Sequence, residues 1–275
     1  MAIVITRGVV LAASAEEIGG NAPLIGWQNL VGRSGVAATS EAAGYPASNL
    51  ANPSTALFWK ATGTATQYLT VDLSGVDTVD YVGIARHNLG SGGTSVSVEV
   101  DDPDNPGSWL EVAASLLLPD DGPALIRFDP VSPLQLRVKL QPAAVVPAVT
   151  VLYVGSLLVL PRGLQPGHVP LPFAASDEIV TGQAESGDFL GRIVTKQALT
   201  TSVSIIALDY DWFRQHMAAF VRVARTTPFF FAWMPESFPN EVGFAWLNND
   251  VRPELQAVQS GFIVSLNLDL GAVTL

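Results

Sequence analysis

The sequence contains no cysteine and unusually little charge. Without thiols the chain cannot form disulfide bonds, zinc–thiolate sites or a cysteine nucleophile. Charged residues make up 14% of the chain, against roughly 25% in an ordinary soluble domain. Because a protein surface must be covered with polar groups, this deficit predicts that partner molecules bury part of it. The alternative is that Ser, Thr, Asn and Gln supply the polar surface.

Basic residues are also scarce. The chain has 14 Lys and Arg against 25 Asp and Glu, a net charge of −11, and the basic residues are scattered along it. Nucleic-acid binding by phosphate neutralisation needs a basic patch or stripe. The sequence therefore predicts no nucleic-acid partner.

Long apolar runs that could enter a membrane are missing. Residues 1–20 superficially resemble a signal peptide, but they lack a positively charged start and Arg7 interrupts the apolar run. The second uncharged stretch, between Lys139 and Arg162, is broken by prolines and a glycine, whereas a spanning helix needs about 20 uninterrupted apolar residues. We expect an opening β-strand in the first stretch, two strands in the second, and no membrane insertion.

Short β-strands dominate what is present. Runs rich in Val, Ile, Leu, Thr and Tyr alternate with clusters of Gly, Pro, Asn and Asp, which is typical of a β-sandwich or barrel. The predicted strands of the first part are 35–40, 67–73, 78–87, 94–101, 108–114, 124–130, 134–140 and, as two strands, 149–160.

One predicted strand has strict alternation. Val96, Val98 and Val100 point to one side of the strand at 94–101, and Ser97 and Glu99 point to the other. This pattern predicts a half-buried strand whose polar face meets solvent.

The segment 161–178 has four prolines and no periodicity, which is typical of a linker or an extended arm. We therefore predict a β-sandwich domain at 1–160, a Pro-rich linker or arm at 161–178, and a β-rich α+β module at 179–275.

The C-terminal module contains the chain's one convincing helix, at 209–226, between β-strands. Residues 191–208 predict one long strand or a hairpin arm, and further strands are predicted at 228–234, 243–248 and 260–270. Apolar residues on one side of the predicted helix indicate the face that packs on the sheet, and they are Trp212, Phe213, Met217, Phe220 and Val221.

The N-terminal part resembles the galactose-binding-like jelly roll (discoidin, coagulation factor 5/8 type C), in the version that recurs in phage and prophage tail proteins. The resemblance is carried by the order and spacing of segments 25–31, 35–61, 67–90, 95–100, 134–140 and 149–155. It implies a mainly β fold in which Trp59 fills the sandwich core. The C-terminal half more loosely resembles modules of distal-tail and tail-tip proteins that build a ring around the tail channel.

The resemblance implies a structural virion protein of a phage-like tail tip or distal tail, assembled in the bacterial cytoplasm. Its expected partners are further copies of itself and tail proteins such as tube, hub or tape-measure, with host surface glycan as an additional candidate. The alternative function is a carbohydrate-binding, host-recognition module without a core structural role. An esterase or glycosidase acting on envelope polysaccharide is a third hypothesis, and we expect no enzyme.

The resemblance also indicates where ligands could bind. Such jelly rolls often bind sugars through loops and hold a structural calcium ion. Here the loop at 49–59 lacks the Asp/Asn-Gly pattern and Leu152 stands where a calcium-binding Glu is expected, so we predict no metal and no cofactor. The candidate glycan contacts are His87, Asn88 and Trp109. Their structural alternatives are a turn cap for His87 and Asn88, and packing at a strand start for Trp109.

Other chemical motifs fail on inspection. The acidic stretch 101–107 resembles an EF-hand loop, but Pro106 occupies a ligand position and Ala113 replaces the closing Glu, which favours a hairpin turn. The three histidines are far apart, and the sequence has no P-loop and no G-x-S-x-G motif. Adjacent acidic pairs at 101–102, 120–121 and 177–178 lie in turn-like stretches, where a glycosidase pair would form only by chance.

Overall fold

A computed structural model describes residues 2–5, 9–12, 21–32, 35–73, 77–259 and 261–273. The described chain is mainly β with one principal helix, which confirms the predicted fold class. The first strands, in chain order, are β1 (Ala2–Ile5), β2 (Val9–Ala12), β3 (Leu24–Gly26), β4 (Val36–Ala38), β5 (Trp59–Lys60), β6 (Gln67–Asp72), β7 (Val79–His87), β8 (Ser95–Asp101), β9 (Trp109–Leu117) and β10 (Ala124–Val131). They are followed by β11 (Gln135–Gln141), β12 (Ala148–Gly155), β13 (Leu158–Val159), β14 (Glu178–Gln183), β15 (Phe189–Lys196), β16 (Leu199–Asp209), β17 (Phe229–Ala232), β18 (Val242–Leu247), β19 (Glu254–Val258) and β20 (Gly261–Ala272).

These strands form three large sheets and a separate hairpin. The central sheet has the order β1-β2-β10-β7-β12-β5, and the outer sheet has the order β4-β6-β11-β8-β9. The third sheet runs β13-β3-β17-β18-β20-β16, with β19 also paired to β20, and β14 pairs with β15 alone. In the described part of the chain all strand pairs are antiparallel except β2 with β10.

The central and outer sheets enclose the jelly-roll core. Alternate residues of β6 and β8, such as Val71 and Val98, are buried in this core together with Trp59. The Trp59 indole nitrogen Nε1 donates to the backbone oxygen of Ser40 at 2.9 Å, so the polar atom of this large side chain is satisfied. The predicted core role of Trp59 is confirmed.

The opposite face of the central sheet packs against the third sheet. Strand β7 sends Tyr81 and Ala85 to this second interface, while Val82 and Ile84 face the jelly-roll core. Both faces of β7 are therefore buried, which explains its almost continuous apolar sequence. Phe230 of β17 is fully buried in the same interface.

The helix covers the remaining face of the third sheet. It runs over 210–223, with α-helical turns at Tyr210–Trp212 and Ala218–Val223 and a π-helical turn at Phe213–Met217 between them. The Asp209 carboxylate caps its first turn by accepting from the backbone N–H of Trp212 at 2.9 Å. Phe213, Met217 and Phe220 are buried against the sheet, which confirms the predicted apolar stripe.

The third sheet contains strands from both sides of the predicted linker. Strand β3 pairs with β17, and β13 pairs with β3, so residues 24–26 and 158–159 join strands of the C-terminal part. Within 161–178, Leu171–Phe173 form a short 3-10 helix, and Leu171 is buried against the same sheet. The division into 1–160, 161–178 and 179–275 stays a prediction.

Most predicted strands are confirmed, including β12 and β13 in the uncharged stretch. The prediction that the polar face of β8 meets solvent is wrong, because Ser97 and Glu99 are only 2% and 7% exposed. Among the described residues, no helix is long and apolar enough to cross a membrane.

Candidate functional site

His87 ends strand β7 and is buried against the loop that precedes β10. Its Nε2 lies 2.9 Å from the backbone oxygen of Gly122, and its Nδ1 accepts from the backbone N–H of Leu89 at 3.2 Å. These contacts fix a neutral ring with the proton on Nε2. Burial lowers the pKa of His87, and the nearby Asp121 carboxylate partly opposes that shift. Both ring nitrogens are thus occupied by contacts within the protein.

Asn88 connects two loops at the same end of the sandwich. Its side-chain oxygen accepts from the backbone N–H of Ala148 at 2.7 Å, and its Nδ2 donates to the backbone oxygen of Val146 at 2.9 Å. Both the oxygen and the nitrogen of the side-chain amide are therefore hydrogen-bonded to backbone groups. For His87 and Asn88 the structure has the geometry of the turn-capping alternative, while their role as glycan contacts stays a prediction.

Trp109 lies at the opposite end of the sandwich. It starts β9 and is paired with Asp101, the last residue of β8, whereas the loop that carries Asn88 leads into the first residue of β8. Strand β8 has seven residues, so the two places are roughly 20 Å apart along the strand. The three candidate glycan contacts are not brought together.

A side-chain stack surrounds Trp109 on the outer sheet. The Arg137 guanidinium carbon lies 4.0 Å from the centre of the Trp109 ring and 4.2 Å from the centre of the Tyr68 ring. The flat cation is therefore held between two aromatic rings, an arrangement in which both ring faces stabilise the charge. We call Tyr68, Arg137 and Trp109 the aromatic stack.

Glu99 fixes the position of the stack. It is opposite Arg137 in the sheet register, and its Oε2 accepts from Arg137 Nε at 2.5 Å. Its other oxygen, Oε1, accepts from Lys139 Nζ at 3.3 Å. The long side chains of Arg137 and Lys139 cover Glu99, which explains why the polar face of β8 is buried.

An open cleft of about 480 Å³ adjoins the stack. It lies at the end of β8 and the beginning of β11, and it is lined by Asp72, Asp101, Asp102, Pro103, Pro106, Gly107, Leu134 and Gln135. Gln135 precedes Arg137 by two residues on β11, and Asp101 is the register partner of Trp109. The cleft and the aromatic stack are therefore neighbours on the outer sheet, and none of the three stack residues lines the cleft itself.

Several polar groups of the cleft already make hydrogen bonds within the protein. Asp101 Oδ1 accepts from the backbone N–H of Gln135 at 2.8 Å, and Asp72 Oδ1 accepts from Gln135 Nε2 at 3.3 Å. Asp102 accepts from the side-chain amide of Asn105 and from the backbone N–H of Asp104, and these bonds lower its pKa. One oxygen each of Asp72 and Asp101 makes no hydrogen bond among the described residues.

The acidic stretch at 101–107 is a hairpin turn between β8 and β9, as predicted. The backbone N–H of Asp102 donates to the backbone oxygen of Ser108, and the Asp102 carboxylate is used inside the turn. The described residues contain no group of three or more His, Asp or Glu side chains placed to hold a metal ion. Leu152 is fully buried in the jelly-roll core.

Sequence reasoning singled out Trp109 but missed Tyr68, Glu99, Arg137 and Gln135. Each of them is an outward-facing residue of an alternating strand, and that alternation is readable from the sequence. What brings them together is the order β6-β11-β8-β9, which pairs strands far apart in the chain.

No protein-family model matches the chain, and no curated protein is significantly similar to it. Solved structures resemble it over less than half of its length. Chitosan-binding module 1 of a chitosanase/glucanase from Paenibacillus sp. IK-5 is 22% identical, with 46% of this chain and 98% of that chain covered and a TM-score of 0.40.

Two further similar structures are a family 32 carbohydrate-binding module from C. perfringens NanJ, in complex with galactose, and a GH29 fucosidase from Ruminococcus gnavus, in complex with fucose. The first is 19% identical, with 46% of this chain and 97% of that chain covered and a TM-score of 0.38. The second is 17% identical, with 47% of this chain and 26% of that chain covered and a TM-score of 0.38.

Proposed function

We propose that this protein binds carbohydrate, without catalysing a reaction, in the cleft beside the aromatic stack. The observation that carries the proposal is the position of Arg137 between Tyr68 and Trp109, next to an open cleft of about 480 Å³. Ligand sites combine apolar or aromatic surface with a few convergent polar groups, and this surface has both.

The aromatic stack suits the apolar side of a sugar ring. A pyranose presents C–H groups on its faces and hydroxyl groups around its rim, so it packs on an aromatic ring and donates hydrogen bonds to groups at the side. Arg137 occupies one face of each ring and is itself held by Glu99, so Trp109 is oriented before a ligand arrives. Such preorganisation lowers the entropic cost of binding.

The cleft supplies acceptors for the rim of the sugar. The carboxylate oxygens of Asp72 and Asp101 that accept no hydrogen bond from the described residues can accept one from a hydroxyl or ammonium group of the sugar. Hydrogen bonds to a charged acceptor are stronger than those between neutral groups. Among the described residues, no basic side chain lines the cleft. We therefore expect neutral sugars and amino sugars to bind in preference to uronic or sialic acids.

A glycan array tests the proposal. The purified full chain is applied to neutral, amino and acidic oligosaccharides, and affinities for galactose and chitotriose are then measured by titration calorimetry. We expect Trp109→Ala to weaken binding about tenfold, equivalent to about 1.4 kcal/mol. Binding of no glycan by the wild-type protein, or equal binding by Trp109→Ala, would overturn the proposal.

Phe173→Ala is the matched control. Phe173 is a 75% exposed aromatic residue that ends the 3-10 helix at Leu171–Phe173, away from the cleft. Its removal deletes an exposed aromatic ring from the same molecule. We expect glycan affinity to be unchanged, which separates a site effect from a general loss of surface aromatics.

A structural role in a phage-like tail tip or distal tail is our second candidate function. It rests on the resemblance of residues 22–156 and on one structural observation, the solvent-exposed apolar hairpin β14–β15. An exposed apolar hairpin favours assembly with other subunits. Its test is electron microscopy of particles with an antibody to this chain, where label at one tail end is the expected result and unlabelled tails would overturn it.

A further inference from the structure

A second exposed tryptophan, Trp246, lies on the third sheet. Val242 and Phe244 of strand β18 point into the interface with the central sheet, and Trp246 follows them on the same face. The side chain of Trp246 is 40% exposed. This face of the third sheet therefore extends past the interface into solvent, and Trp246 lies where the covered part ends.

The Trp246 indole lies over a glycine. Gly271 of β20 is its register partner, and a Cβ added to Gly271 would stand 2.6 Å from Trp246 Nε1 and 2.7 Å from Trp246 Cε2. These distances place the ring against the backbone of β20, where any side chain at position 271 would push it away. The indole is thus held on the sheet with its remaining surface open to solvent.

Two polar groups lie at the indole without a partner. Asn248 is exposed, and its Oδ1 lies 2.8 Å from the same Cβ position above Gly271. Among the described residues, neither the indole N–H of Trp246 nor the side-chain amide of Asn248 makes a hydrogen bond. A ligand on the ring therefore meets one indole donor and an amide that can donate and accept.

Asp269 adds a fixed acceptor in the next row of the sheet. Its Oδ1 accepts from Ser202 Oγ at 2.7 Å, and its Oδ2 accepts from Asn249 Nδ2 at 3.0 Å. These bonds lower the pKa of Asp269, so the carboxylate is charged at neutral pH. Its backbone oxygen accepts from the N–H of Asn248 at 2.8 Å, which places Asp269 next to Asn248 in the sheet. Each carboxylate oxygen has a further lone pair for a ligand.

The polar groups around Trp246 indicate the chemistry of the ligand. Ser204 and Asn267 continue the polar face beyond Asp269, with Ser204 Oγ donating to Asn267 Oδ1 at 2.6 Å. An apolar protein surface or a lipid chain on Trp246 would take these groups away from water, and burying polar groups without partners is costly. A pyranose instead packs its C–H face on the indole and turns its hydroxyl groups to Asn248 and Asp269.

We propose that Trp246, Asn248 and Asp269 form a second carbohydrate-binding surface, which holds one pyranose ring of a neutral or amino sugar. The charge of Asp269 disfavours acidic sugars. The surface lies on the third sheet, and the central sheet separates it from the cleft on the outer sheet. One sugar ring cannot reach both places, so the two sites are independent.

The Trp246 surface is the weaker of the two sites, because a sugar on an open surface is enclosed less than a sugar in a cleft. It accounts for the binding that remains when the cleft is impaired. Two sites on one chain strengthen binding to a polymeric glycan, because the second contact forms at a high effective concentration.

Nuclear magnetic resonance of the full chain, labelled with 15N at its six tryptophans, tests the site directly. The Trp246 indole N–H signal is the one that is missing in Trp246→Ala. We expect galactose or chitotriose to shift this signal in the wild type, and equally in Trp109→Ala, in which the cleft is impaired. A Trp246 signal that stays unshifted with both sugars would overturn the proposal.

Titration calorimetry in the Trp109→Ala background measures the affinity of the second site. Adding Trp246→Ala should weaken the remaining binding about tenfold. Adding Gly271→Ala should do the same, because the new methyl group lifts the indole off the sheet. The control Phe262→Ala removes a 51% exposed ring from the same strand as Gly271 and should leave the affinity unchanged. Equal affinity with and without Trp246→Ala overturns the proposal.

The two carbohydrate sites can fail separately. If Trp109→Ala abolishes all binding and the Trp246 signal does not shift, the cleft stands and the second surface is overturned. If the Trp246 signal shifts while Trp109→Ala binds sugar as the wild type does, the second surface stands and the cleft is overturned. Circular dichroism of each variant, expected to match the wild type, shows that a loss of binding does not come from unfolding.

Discussion

Gly83 lies directly under the ring of Phe230, and a Cβ added to Gly83 would stand 2.5 Å from Phe230 Cε2. Phe230 is fully buried, so its ring has no open space to move into. We expect Gly83→Ala to destabilise the protein by about 1–3 kcal/mol, the usual cost of overpacking a core. The measurement is the urea midpoint of unfolding.

Gly63→Ala is the control for that substitution, because a Cβ at Gly63 meets nothing within 4 Å. Its midpoint should equal that of the wild type. Combining Gly83→Ala with Phe230→Leu should recover part of the lost stability, since the smaller side chain leaves room for the new methyl group. Equal midpoints for Gly83→Ala and the wild type would show that the two sheets are not in close contact here.

Glu99 is the buried acceptor of two cations. Replacing it by Gln leaves Arg137 and Lys139 without their carboxylate, and loss of a charged hydrogen-bond partner in a largely buried pair costs about 2 kcal/mol. We expect Glu99→Gln to lower the free energy of unfolding by that amount. It should also weaken glycan binding, because Arg137 no longer holds Trp109 in place.

Glu111→Gln is the matched control, because Glu111 lies opposite Glu99 in the sheet register but is exposed on the edge strand β9. Its removal should leave stability within about 0.5 kcal/mol, as for most surface substitutions. If both variants lose the same stability, the contribution comes from β9 and β8 pairing and not from the Glu99 ion pairs.

The jelly roll was largely predictable from the sequence, and its binding surface was not. Alternation on β6 and β11 and the position of Trp59 are local patterns, so strands and core residues followed from them. The stack of Tyr68, Arg137 and Trp109 depends on strand order, which no local pattern encodes. Trp109 is a candidate from the sequence because it follows an acidic turn, whereas its partner Arg137 lies 28 positions later in the chain.

The contact between the two halves was also beyond local reasoning. Phe229, Phe230 and Phe231 read as one apolar strand, but they alternate between two different interfaces. A run of apolar residues indicates burial on both faces and does not say which elements cover them. The alternation in β8 predicts that Ser97 and Glu99 meet solvent. It carries no information about the neighbouring strand β11, whose long side chains cover them.

Asp80 should make stability depend on pH. Burial raises the pKa of Asp80 from its ordinary value of 3.8 to about 6, against the opposing effects of the Leu157 backbone N–H and Arg127. A raised carboxyl pKa contributes stability that is complete below the unfolded value and is lost as pH rises through the folded value. The wild type should therefore lose up to about 2–3 kcal/mol relative to Asp80→Asn between about pH 4 and about pH 7.5, at about 1.4 kcal/mol per pKa unit.

Chemical unfolding of both proteins at several pH values measures this difference. The Asn side chain keeps an oxygen that accepts from the backbone N–H of Leu157, as Asp80 Oδ1 does at 2.8 Å. Asp77→Asn, at an exposed neighbouring carboxylate, is the control for removing one negative charge from this segment. A constant difference between Asp80→Asn and the wild type would mean that Asp80 titrates equally in the folded and unfolded chains.

The cleft carboxylates should discriminate between sugars by charge. Replacing Asp72 and Asp101 together by Asn retains acceptor oxygens for Gln135 but removes two negative charges from the cleft. For a partly exposed site each charge pair contributes about 0.2–1 kcal/mol, so loss of both charges should weaken binding of the cationic chitotriose roughly two- to thirtyfold while binding of neutral galactose changes little. Raising the salt concentration should weaken chitotriose binding to the wild type and have less effect on the double variant, because salt screens exposed charges. Glu185→Gln, at an exposed carboxylate in the turn between β14 and β15, is the control. Equal losses for both sugars would mean that Asp72 and Asp101 act only by shaping the cleft through Gln135.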